Sequence, residues 1–260
     1  MDFKIKNKNA LITGGSHGIG KSIALALADE GCNIAIFSRT KSRVDETIEE
    51  LKKKNIDVLG MQADVFNDVE IENIMNTIIK RWGTIDILIN NVGGGGRWGS
   101  ENIEETDLKV WEEVYYKNVG IAIKFTRWAV PFMKKNKWGR VVIISSTCGK
   151  GEEGRPWFAI SKSAEISFMK SMSKQKYLVR DGITFNTIAP GPIMIPDTGW
   201  DNKRKENPEE FNKLIDKNFP QGRLGESKEI GDVVSFVCSQ QASLINGSCI
   251  TIDGGKCSSF

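Results

Sequence analysis

Two stretches of this sequence carry residue types that can bind or polarise a small molecule. The first, Thr13–Gly20, reads Thr-Gly-Gly-Ser-His-Gly-Ile-Gly and joins the apolar run Ala10–Ile12 to a segment with helical apolar spacing. Glycines let the backbone turn tightly and approach a phosphate, and free N–H groups at a helix N-terminus attract an anion. This context predicts a phosphate site, although a tight turn without a ligand has the same local pattern.

The second stretch is the hydroxyl pair Ser145 and Ser146, which follows the apolar run Val141–Ile144. A hydroxyl at the end of a strand is well placed to donate a hydrogen bond to a substrate carbonyl. The alternative is that both hydroxyls only satisfy the backbone of the loop that follows them.

Ser38 and Arg39 follow a further apolar run, Ile34–Phe37. An acidic residue at this place suits the free 2′-hydroxyl of an adenosine ribose, whereas an arginine suits a 2′-phosphate. Arg39 therefore favours NADP(H), with Arg43 or His17 as candidate helpers. The alternative is that Arg39 only stacks on the adenine.

Polar side chains also end the next two apolar runs. Asp64 can accept a hydrogen bond from an adenine amino group or cap the helix that begins near Asn67, where Asn67 itself is the better placed cap. Asn90 and Asn91 need hydrogen-bond partners if they are buried, so we expect them to tie their strand to its neighbours beside a cofactor.

The elements that must position these residues follow from the apolar pattern. Continuous apolar runs alternate with helical spacing, which indicates a parallel sheet covered on both faces, in a single doubly wound α/β domain over 1–260. Such folds bind ligands at the carboxyl ends of their strands. The predicted strands are Ala10–Ile12, Ile34–Phe37, Val58–Met61, Ile85–Ile89, Val141–Ile144, Ile183–Ile188 and Cys249–Ile252. The predicted helices are Ile19–Glu30, Lys41–Lys54, Val69–Arg81, Leu108–Lys135, Phe158–Arg180 and Lys228–Gln240.

The composition argues against a nucleic-acid partner, a membrane partner and a metal site. The net charge of +3 is too small to indicate a nucleic-acid partner. No apolar stretch approaches the roughly 18 residues of a membrane span, so we expect no membrane partner. Five cysteines without pair spacing and one histidine predict no metal site. We expect reduced thiols and a cytoplasmic protein.

With these motifs the chain resembles the short-chain dehydrogenase/reductase family, and its general pattern is similar to the 3-oxoacyl-carrier-protein reductase group. The resemblance covers essentially the whole chain. It rests on Thr13–Gly20, Asn90–Gly93, Asn118, Ser146, Lys162, Pro190–Gly191, Gly247 and Asp253–Gly255. It implies a Rossmann-like domain that passes a hydride between NAD(P)H and a carbonyl or alcohol, usually as a homotetramer or dimer.

The resemblance also implies where a dinucleotide would lie. The phosphates would meet the turn residues Gly14, Gly15, Ser16, His17, Gly18 and Ile19. The adenosine half would meet Asp64 and Val65 at the adenine and Asn90 at the ribose, beside Ser38 and Arg39. The nicotinamide half would meet Lys162 at its ribose and the Ile193 backbone at its carboxamide.

For catalysis the resemblance implies Ser146 as the serine that polarises the carbonyl and Asn118 as a relay residue. The family expects Tyr-x-x-x-Lys, but this chain has Phe158 four residues before Lys162. Phenylalanine has no hydroxyl to donate or accept a proton, and general acid–base catalysis is worth roughly 10²–10⁴-fold. We therefore expect weakened or altered chemistry at Phe158.

Several groups could replace the missing hydroxyl. Our first choice is a water held by Lys162 and Asn118, and a substrate-borne acid is another. Further candidates are Tyr115, Glu152, Glu153 and Arg155. The longer Tyr-x6-Lys spacing of the related enoyl reductases would need a tyrosine where Arg155 stands.

On the substrate side, the segment at about 194–220 is long, and we expect a mobile lid there. Arg97, Trp98 and Arg155, with Trp157, are expected to form a rim, since arginines favour anions and tryptophans offer flat apolar surface. This favours a small anionic or acyl-carrier-linked carbonyl substrate. Surface arginines beside interface aromatics are the alternative.

The leading hypothesis is an NADP(H)-dependent carbonyl/alcohol oxidoreductase with an altered acid. A second hypothesis is an NADP(H)-binding sensor or scaffold with little turnover, or an inactive Tyr-to-Phe variant. A third is an epimerisation or dehydration on the same scaffold. Apolar positions on the two longest predicted helices exceed what one sheet face needs, so we also expect a homo-oligomer.

Overall fold

A computed structural model describes residues 1–100 and 102–259. The strands are β1 (Asn9–Thr13), β2 (Asn33–Ser38), β3 (Val58–Gln62), β4 (Ile87–Asn90), β5 (Gly139–Ile144), β6 (Ile183–Pro190), β7 (Ile193–Met194), β8 (Gly225–Glu226) and β9 (Cys249–Ile252). Within the described residues, seven of them form one parallel sheet in the order β3-β2-β1-β4-β5-β6-β9. The short pair β7–β8 lies apart from it. The predicted doubly wound α/β fold is confirmed.

The helices cover both faces of this sheet. They are α1 (Gly18–Asp29), α2 (Lys41–Lys52), α3 (Asp68–Trp82), α4 (Leu108–Tyr115), α5 (Ile121–Asn136), α6 (Pro156–Met172), α7 (Lys176–Val179), α8 (Gly199–Glu206), α9 (Pro208–Asn218) and α10 (Ser227–Val237). Side chains of β1 alternate between the two faces, so Ile12 packs in the same cluster as Ile23 of α1, whereas Leu11 packs in that of Phe125 of α5. Burial on both faces explains why the strands read as unbroken apolar runs.

The strand order reverses at β1, which pairs with β2 on one side and β4 on the other. The Thr13 hydroxyl oxygen accepts from the N–H groups of Asn91 and Val92, both at 2.9 Å. The Asn91 side-chain amide donates to the carbonyl oxygens of Thr13 at 2.9 Å and Gly14 at 3.2 Å. Asn91 therefore ties the two strand ends together where the ligand-binding crevice of such folds opens.

We expect Asn91→Ala to lower the free energy of unfolding by about 1–3 kcal/mol, because the carbonyls of Thr13 and Gly14 lose their donor. Urea unfolding followed by circular dichroism measures this loss. Asn76→Ala, the same change at an exposed position of α3, is the control and should not lower the free energy of unfolding by more than about 0.5 kcal/mol. Equal values for the two variants would contradict the structural role of Asn91.

The helix predicted over Leu108–Lys135 is not continuous. Between α4 and α5 lies a π-helical turn, Tyr116–Gly120. The Asn118 side-chain amide of this turn donates to the Val114 carbonyl at 2.7 Å. Such turns insert one residue into a helix and often occur at functional sites. Side-chain spacing cannot reveal the insertion, because the apolar pattern continues through it.

Two other predictions differ from the structure in detail. The helix predicted over Phe158–Arg180 begins earlier, at Pro156, and is interrupted between α6 and α7. The segment at about 194–220, where we expect a mobile lid, contains the helices α8 and α9, which the apolar pattern did not predict. Trp200 of α8 packs edge-on against Phe211 and Phe219, with ring centroids 6.5 Å and 6.1 Å apart. Whether this helical segment moves as a lid stays a prediction.

No helix in the described part of the chain combines the length and the apolar character needed to cross a bilayer.

Candidate active site

Many of the predicted site residues line two clefts at the carboxyl edge of the sheet, whereas Asn90, Asn118 and Lys162 line neither. One, the Arg39 cleft, has a volume of about 200 Å³. It is lined by residues that include Gly14, Ser38, Arg39, Asp64, Val65, Asn91, Gly93 and Lys117. The other, the Ser146 cleft, has a volume of about 830 Å³. Its lining includes Ile19, Arg97, Ser146, Arg155, Phe158, Ile193 and Trp200. His17 and Gly18 line a third cleft, with a volume of about 1020 Å³.

The glycine-rich turn leads from β1 into α1 between these clefts. Gly14 and Gly18 have φ values of 65° and 53°, a left-handed conformation that favours glycine. The N-cap residue of α1 is His17, and its side chain makes no capping hydrogen bond. The first N–H groups of α1 are therefore available to an anion. The Ser16 hydroxyl donates to that of Ser38 at 2.7 Å, which fixes the turn against the end of β2.

The Arg39 cleft contains a second cation that sequence reasoning missed. Lys117 is half-buried in the π-helical turn, and its ammonium lies 4.6 Å above the centre of the Trp98 ring. Burial and the nearby Arg39 lower the pKa of Lys117, whereas Asp64 raises it. The sequence offered one indication of a role for Lys117, namely its position directly before the predicted site residue Asn118. His17 and Arg43, the predicted helpers of Arg39, are not among the residues that line this cleft.

Asp64 lines the Arg39 cleft and does not cap α3. Its carboxylate accepts from the Phe66 N–H at 3.0 Å. The cap is Asn67, whose side-chain oxygen accepts from the N–H groups of Val69 and Glu70. Of the two alternatives for Asp64, the helix cap is wrong, and the adenine contact stays a prediction.

The side chain of Asn90 does not reach the Arg39 cleft. It is buried, and its amide donates to the Thr126 hydroxyl at 3.2 Å. Asn91, one residue later, lines the cleft instead. The alternation of side chains along a strand explains this difference, because neighbouring residues face opposite sides. Any ribose contact by Asn90 would have to use its backbone.

The two serines at the end of β5 have different surroundings. The Ser145 hydroxyl is buried and donates to the Lys162 carbonyl at 2.9 Å. The Ser146 side-chain oxygen accepts from the Cys148 N–H at 3.2 Å. This contact uses the Ser146 oxygen as an acceptor and leaves its hydrogen for a molecule in the Ser146 cleft.

Phe158 presents its ring to the Ser146 cleft from the first turn of α6. The Lys162 ammonium, one turn further along, lies 5.6 Å from the centre of that ring. The tyrosine position of the family pattern therefore faces the cleft together with Ser146, but without a hydroxyl. The cleft therefore has a hydroxyl donor in Ser146 and a hydrocarbon ring at the position where the family pattern has its proton donor.

Lys162 is engaged by a buried acid, Glu165, that sequence reasoning missed. The Lys162 ammonium donates to the two Glu165 carboxylate oxygens at 2.9 Å and 3.1 Å and to the Ile144 carbonyl at 3.1 Å. Glu165 is 1% exposed and Lys162 is 4% exposed. Burial raises the pKa of Glu165 to about 7, although Lys162 and the Ser145 hydroxyl oppose the rise. A glutamate three residues after the lysine, on a buried helix face, was the available signal.

Asn118 and Lys162 approach one another across a glycine. A Cβ added to Gly93 would lie 2.7 Å from the Asn118 side-chain oxygen and 3.0 Å from the Lys162 ammonium. Asn118 also binds Gly94, the residue after Gly93, through two hydrogen bonds. Its side-chain oxygen accepts from the Gly94 N–H at 3.1 Å, and its amide donates to the Gly94 carbonyl at 2.8 Å. Its geometry is that of a loop anchor beside Lys162, and its relay role stays a prediction.

The predicted substrate rim is formed only in part. Arg97 lines the Ser146 cleft and lies against Gly199 at the start of α8. Arg155 also lines it, and its guanidinium donates to the Trp98 carbonyl at 2.9 Å. The Trp98 side chain is not part of the lining. Trp157 is 1% exposed, with its ring 5.5 Å from that of Trp111, so its placement in the rim was wrong.

Among the other candidate acids, Tyr115 is exposed rather than directed into the Ser146 cleft. Glu152 lines the cleft but is engaged by the Lys256 ammonium at 3.1 Å. Glu153 lines it as well.

Comparison with known proteins agrees with this geometry. The family described as Enoyl-(Acyl carrier protein) reductase matches residues 14–256. The 3-oxoacyl-(acyl-carrier-protein) reductase FabG of Staphylococcus aureus is 30% identical over 250 residues, which cover 95% of this chain and 97% of that protein.

Two solved structures share the fold over nearly their whole length. L-sorbose reductase from Gluconobacter frateurii, in complex with NADPH and L-sorbose, has a TM-score of 0.91 and 29% identity, with 100% of both chains covered. A variant of the actinorhodin polyketide ketoreductase with NADPH has a TM-score of 0.87 and 26% identity, with 97% of this chain and 98% of that chain covered. The ordered motifs, the sheet and these relatives together show that the chain belongs to the short-chain dehydrogenase/reductase family.

Proposed function

We propose that this protein is an NADP(H)-dependent oxidoreductase that reduces a ketone or 3-oxoacyl-type carbonyl to an alcohol, or catalyses the reverse reaction. The observation that carries the proposal is the Ser146 hydroxyl, which lines a cleft of about 830 Å³ together with Phe158 and Ile193. A donor in a cleft of this size can hold the oxygen of a small-molecule or acyl-carrier-linked carbonyl. Arg97 and Arg155 at the same cleft favour an anionic substrate.

The residues present fit a dinucleotide. The start of α1, where His17 makes no side-chain cap, offers N–H groups for its phosphates. Arg39 and Lys117 offer positive charge in the cleft that follows β2, where a 2′-phosphate would lie. We therefore infer a preference for NADP(H) over NAD(H).

The chain's own residues account for most of the proposed mechanism. A reduced nicotinamide dinucleotide, when bound, supplies the hydride. Ser146 donates a hydrogen bond to the carbonyl oxygen, which orients the carbonyl and stabilises the charge that develops on its oxygen. Phe158 excludes water from one side but supplies no proton. Lys162, with a water, is left to deliver the proton to that oxygen.

Arg39→Asp is expected to weaken NADPH binding by about 10-fold to 100-fold, because a hydrogen bond to a charged group contributes about 1.5–3 kcal/mol. Binding of NADH should be unchanged or stronger, since an acidic residue suits the free 2′-hydroxyl. Fluorescence titration of both nucleotides measures the two affinities. Arg43→Asp is the matched control, because Arg43 is exposed and does not line the Arg39 cleft. Equal affinity of the wild type for the two nucleotides would contradict the preference.

The activity itself is tested with a panel of ketones, 3-oxoacyl thioesters and keto-sugars, followed by the absorbance of NADPH. The proposal expects consumption of NADPH with at least one member and loss of that activity in Ser146→Ala by about 100-fold or more. No consumption with any member, despite NADPH binding, would refute it.

The second candidate function is an NADP(H)-binding sensor or scaffold with little turnover. Phe158 favours this alternative, because the ring faces the cleft where the family keeps its acid. Tight NADPH binding without turnover in the panel would support it.

We further propose a homo-oligomer, a dimer or tetramer, in the cytoplasm. Large apolar side chains stay exposed on and near the helices of one face, among them Phe66, Val69, Leu108, Tyr115 and Tyr177. Burying such side chains between copies of the chain would remove apolar area from water. Sedimentation velocity determines the assembly state.

A further inference from the structure

Glu165 is a carboxyl group in an unusual position. It lies on the buried face of α6, three residues after Lys162, which the proposed mechanism uses. Replacing a buried ion pair by apolar side chains often leaves stability unchanged or improves it, so packing alone does not call for a charge here. The pair lies close behind the Ser146 cleft, since the Lys162 ammonium is 5.6 Å from the centre of the Phe158 ring, which lines that cleft.

The hydrogen bonds of Lys162 show what the carboxyl controls. An ammonium has three donors. With Glu165 ionised, the available acceptors are its two oxygens and the Ile144 carbonyl, which match those three donors. With Glu165 protonated, one carboxyl oxygen becomes a donor and no longer competes for the ammonium. One N–H of Lys162 is then released for a molecule beside Phe158.

We propose that Glu165 is a positioning residue of the reaction that acts through Lys162: it stores the proton that a phenol would hold and, while protonated, frees Lys162 toward the cleft. This inference rests on the proposed carbonyl reduction. It places the proton source about one turn after Lys162 on α6, whereas Phe158, whose ring carries no hydroxyl, lies about one turn before it.

Each turnover would remove one proton from the pair of Glu165 and Lys162. The reactive state has Glu165 as a neutral carboxylic acid and Lys162 as an ammonium. The carbonyl carbon gains a hydride from the reduced nicotinamide nucleotide, and the carbonyl oxygen takes a proton from a water held by Lys162. Lys162 returns a proton to that water, and the Glu165 carboxyl returns one to Lys162. The pair ends as carboxylate and ammonium, one proton poorer, and recovers that proton from solvent by the same route.

The surroundings of Glu165 allow this cycle near neutral pH. The groups that face it within the described chain are Lys162 from its own helix and the Ser145 hydroxyl from the end of β5. Both lower the pKa of Glu165, yet burial outweighs them and raises it. Lys117, from the π-helical turn, also acts on this region, because its charge and that of Lys162 interact.

The test combines turnover with a direct view of the carboxyl. In the wild type, kcat for carbonyl reduction should fall about tenfold per pH unit above the pKa of Glu165. In Glu165→Gln, kcat should be about 100-fold lower at acidic pH and no longer follow that titration. Infrared difference spectra, recorded with oxidised NADP bound and no substrate, should show a protonated carboxyl band that titrates near neutrality and is missing in Glu165→Gln.

Two further variants separate this role from a structural one. Glu165→Asp keeps a titrating carboxyl and should keep a pH-dependent kcat, and it also serves if Glu165→Gln fails to fold. Asp57→Asn is the matched control. The Asp57 carboxylate pairs with Arg81 at 2.9 Å and lies just before β3, at the amino ends of the strands and away from both clefts. The kcat and pH profile of Asp57→Asn should therefore equal those of the wild type.

Two results would overturn the inference and leave the proposed function standing. One is a wild-type pH profile that Glu165→Gln retains. The other is a Glu165 carboxylate that stays ionised in the infrared spectra between about pH 5 and about pH 9. A wild type that reduces no carbonyl would instead remove the proposed function, and the inference would fall with it.

Discussion

Replacing Phe158 by tyrosine is expected to raise kcat for carbonyl reduction by about 100-fold to 10,000-fold, the range that a positioned general acid contributes. The ring at this position already faces the Ser146 cleft and its centre lies 5.6 Å from the Lys162 ammonium. A tyrosine in the same orientation would place its hydroxyl in the Ser146 cleft and near the Lys162 ammonium. The cation would lower the pKa of the phenol and make its proton available near neutral pH.

Steady-state reduction of the best panel substrate by NADPH measures this gain. Phe168→Tyr is the matched control, because it is the same change on the same helix. Phe168 packs against the hydrophobic cluster that includes residues of α3 and α5, and it does not line the Ser146 cleft. Its kcat should equal that of the wild type. An unchanged kcat in Phe158→Tyr would mean that the missing phenol is not what limits the reaction.

The same variant also examines the role of Glu165. A phenol at position 158 supplies the proton directly, so kcat should lose its dependence on the buried carboxyl. Adding Glu165→Gln to Phe158→Tyr should then cost much less than the roughly 100-fold expected in the wild-type background. Equal losses in the two backgrounds would show that the two residues act independently.

Lys162→Met is expected to destabilise the fold by about 3–5 kcal/mol near pH 8, because folding must then either bury the Glu165 carboxylate without a partner or protonate it. The loss should be much smaller near pH 5. Lys162 lowers the pKa of Glu165 in the wild type, so its removal raises that pKa further. A carboxyl with a folded-state pKa above its unfolded value contributes stability that is complete below the unfolded pKa and lost as pH rises through the folded one.

Urea unfolding of the wild type and Lys162→Met at about pH 5 and about pH 8 measures this dependence. The double variant Lys162→Met/Glu165→Met is the control, since apolar side chains replacing both charges should recover most of the stability at either pH. A Lys162→Met penalty that is the same at both pH values would show that Glu165 does not titrate in this range.

The sequence by itself was sufficient for the architecture and for the glycine-rich turn between β1 and α1. Apolar runs such as Ile34–Phe37 predict buried strands because a strand covered on both faces must be apolar throughout. The glycines of Thr13–Gly20 predict the turn because its backbone conformation favours them. The resemblance to the family also marked Phe158, because it stands four residues before Lys162, where the family pattern has a tyrosine. Each of these signals is local, so a linear pattern can carry it.

The interruptions of the long helices and the short helices α8 and α9 were harder to predict from the sequence. The π-helical turn Tyr116–Gly120 depends on the Asn118 side chain, which bonds to Val114 in its own helix and to Gly94 in a distant loop. The helices α8 and α9 pack through Trp200 and two phenylalanines. Their sequence is polar enough to resemble a loop, because only a few side chains face the rest of the protein.

The tertiary structure alone decided which polar residues face the clefts and which are buried. Lys117 enters the Arg39 cleft beside Asp64, and Asn91 rather than the Asn90 side chain lines its wall. Glu165 shares a helix with Lys162, but its burial comes from the packing of α6 on the sheet. A carboxyl group titrates according to its surroundings, and those are assembled from segments far apart in the chain. The sequence therefore showed that position 158 carries no hydroxyl, whereas the fold placed a buried carboxyl against Lys162, where we propose that a replacement proton is held.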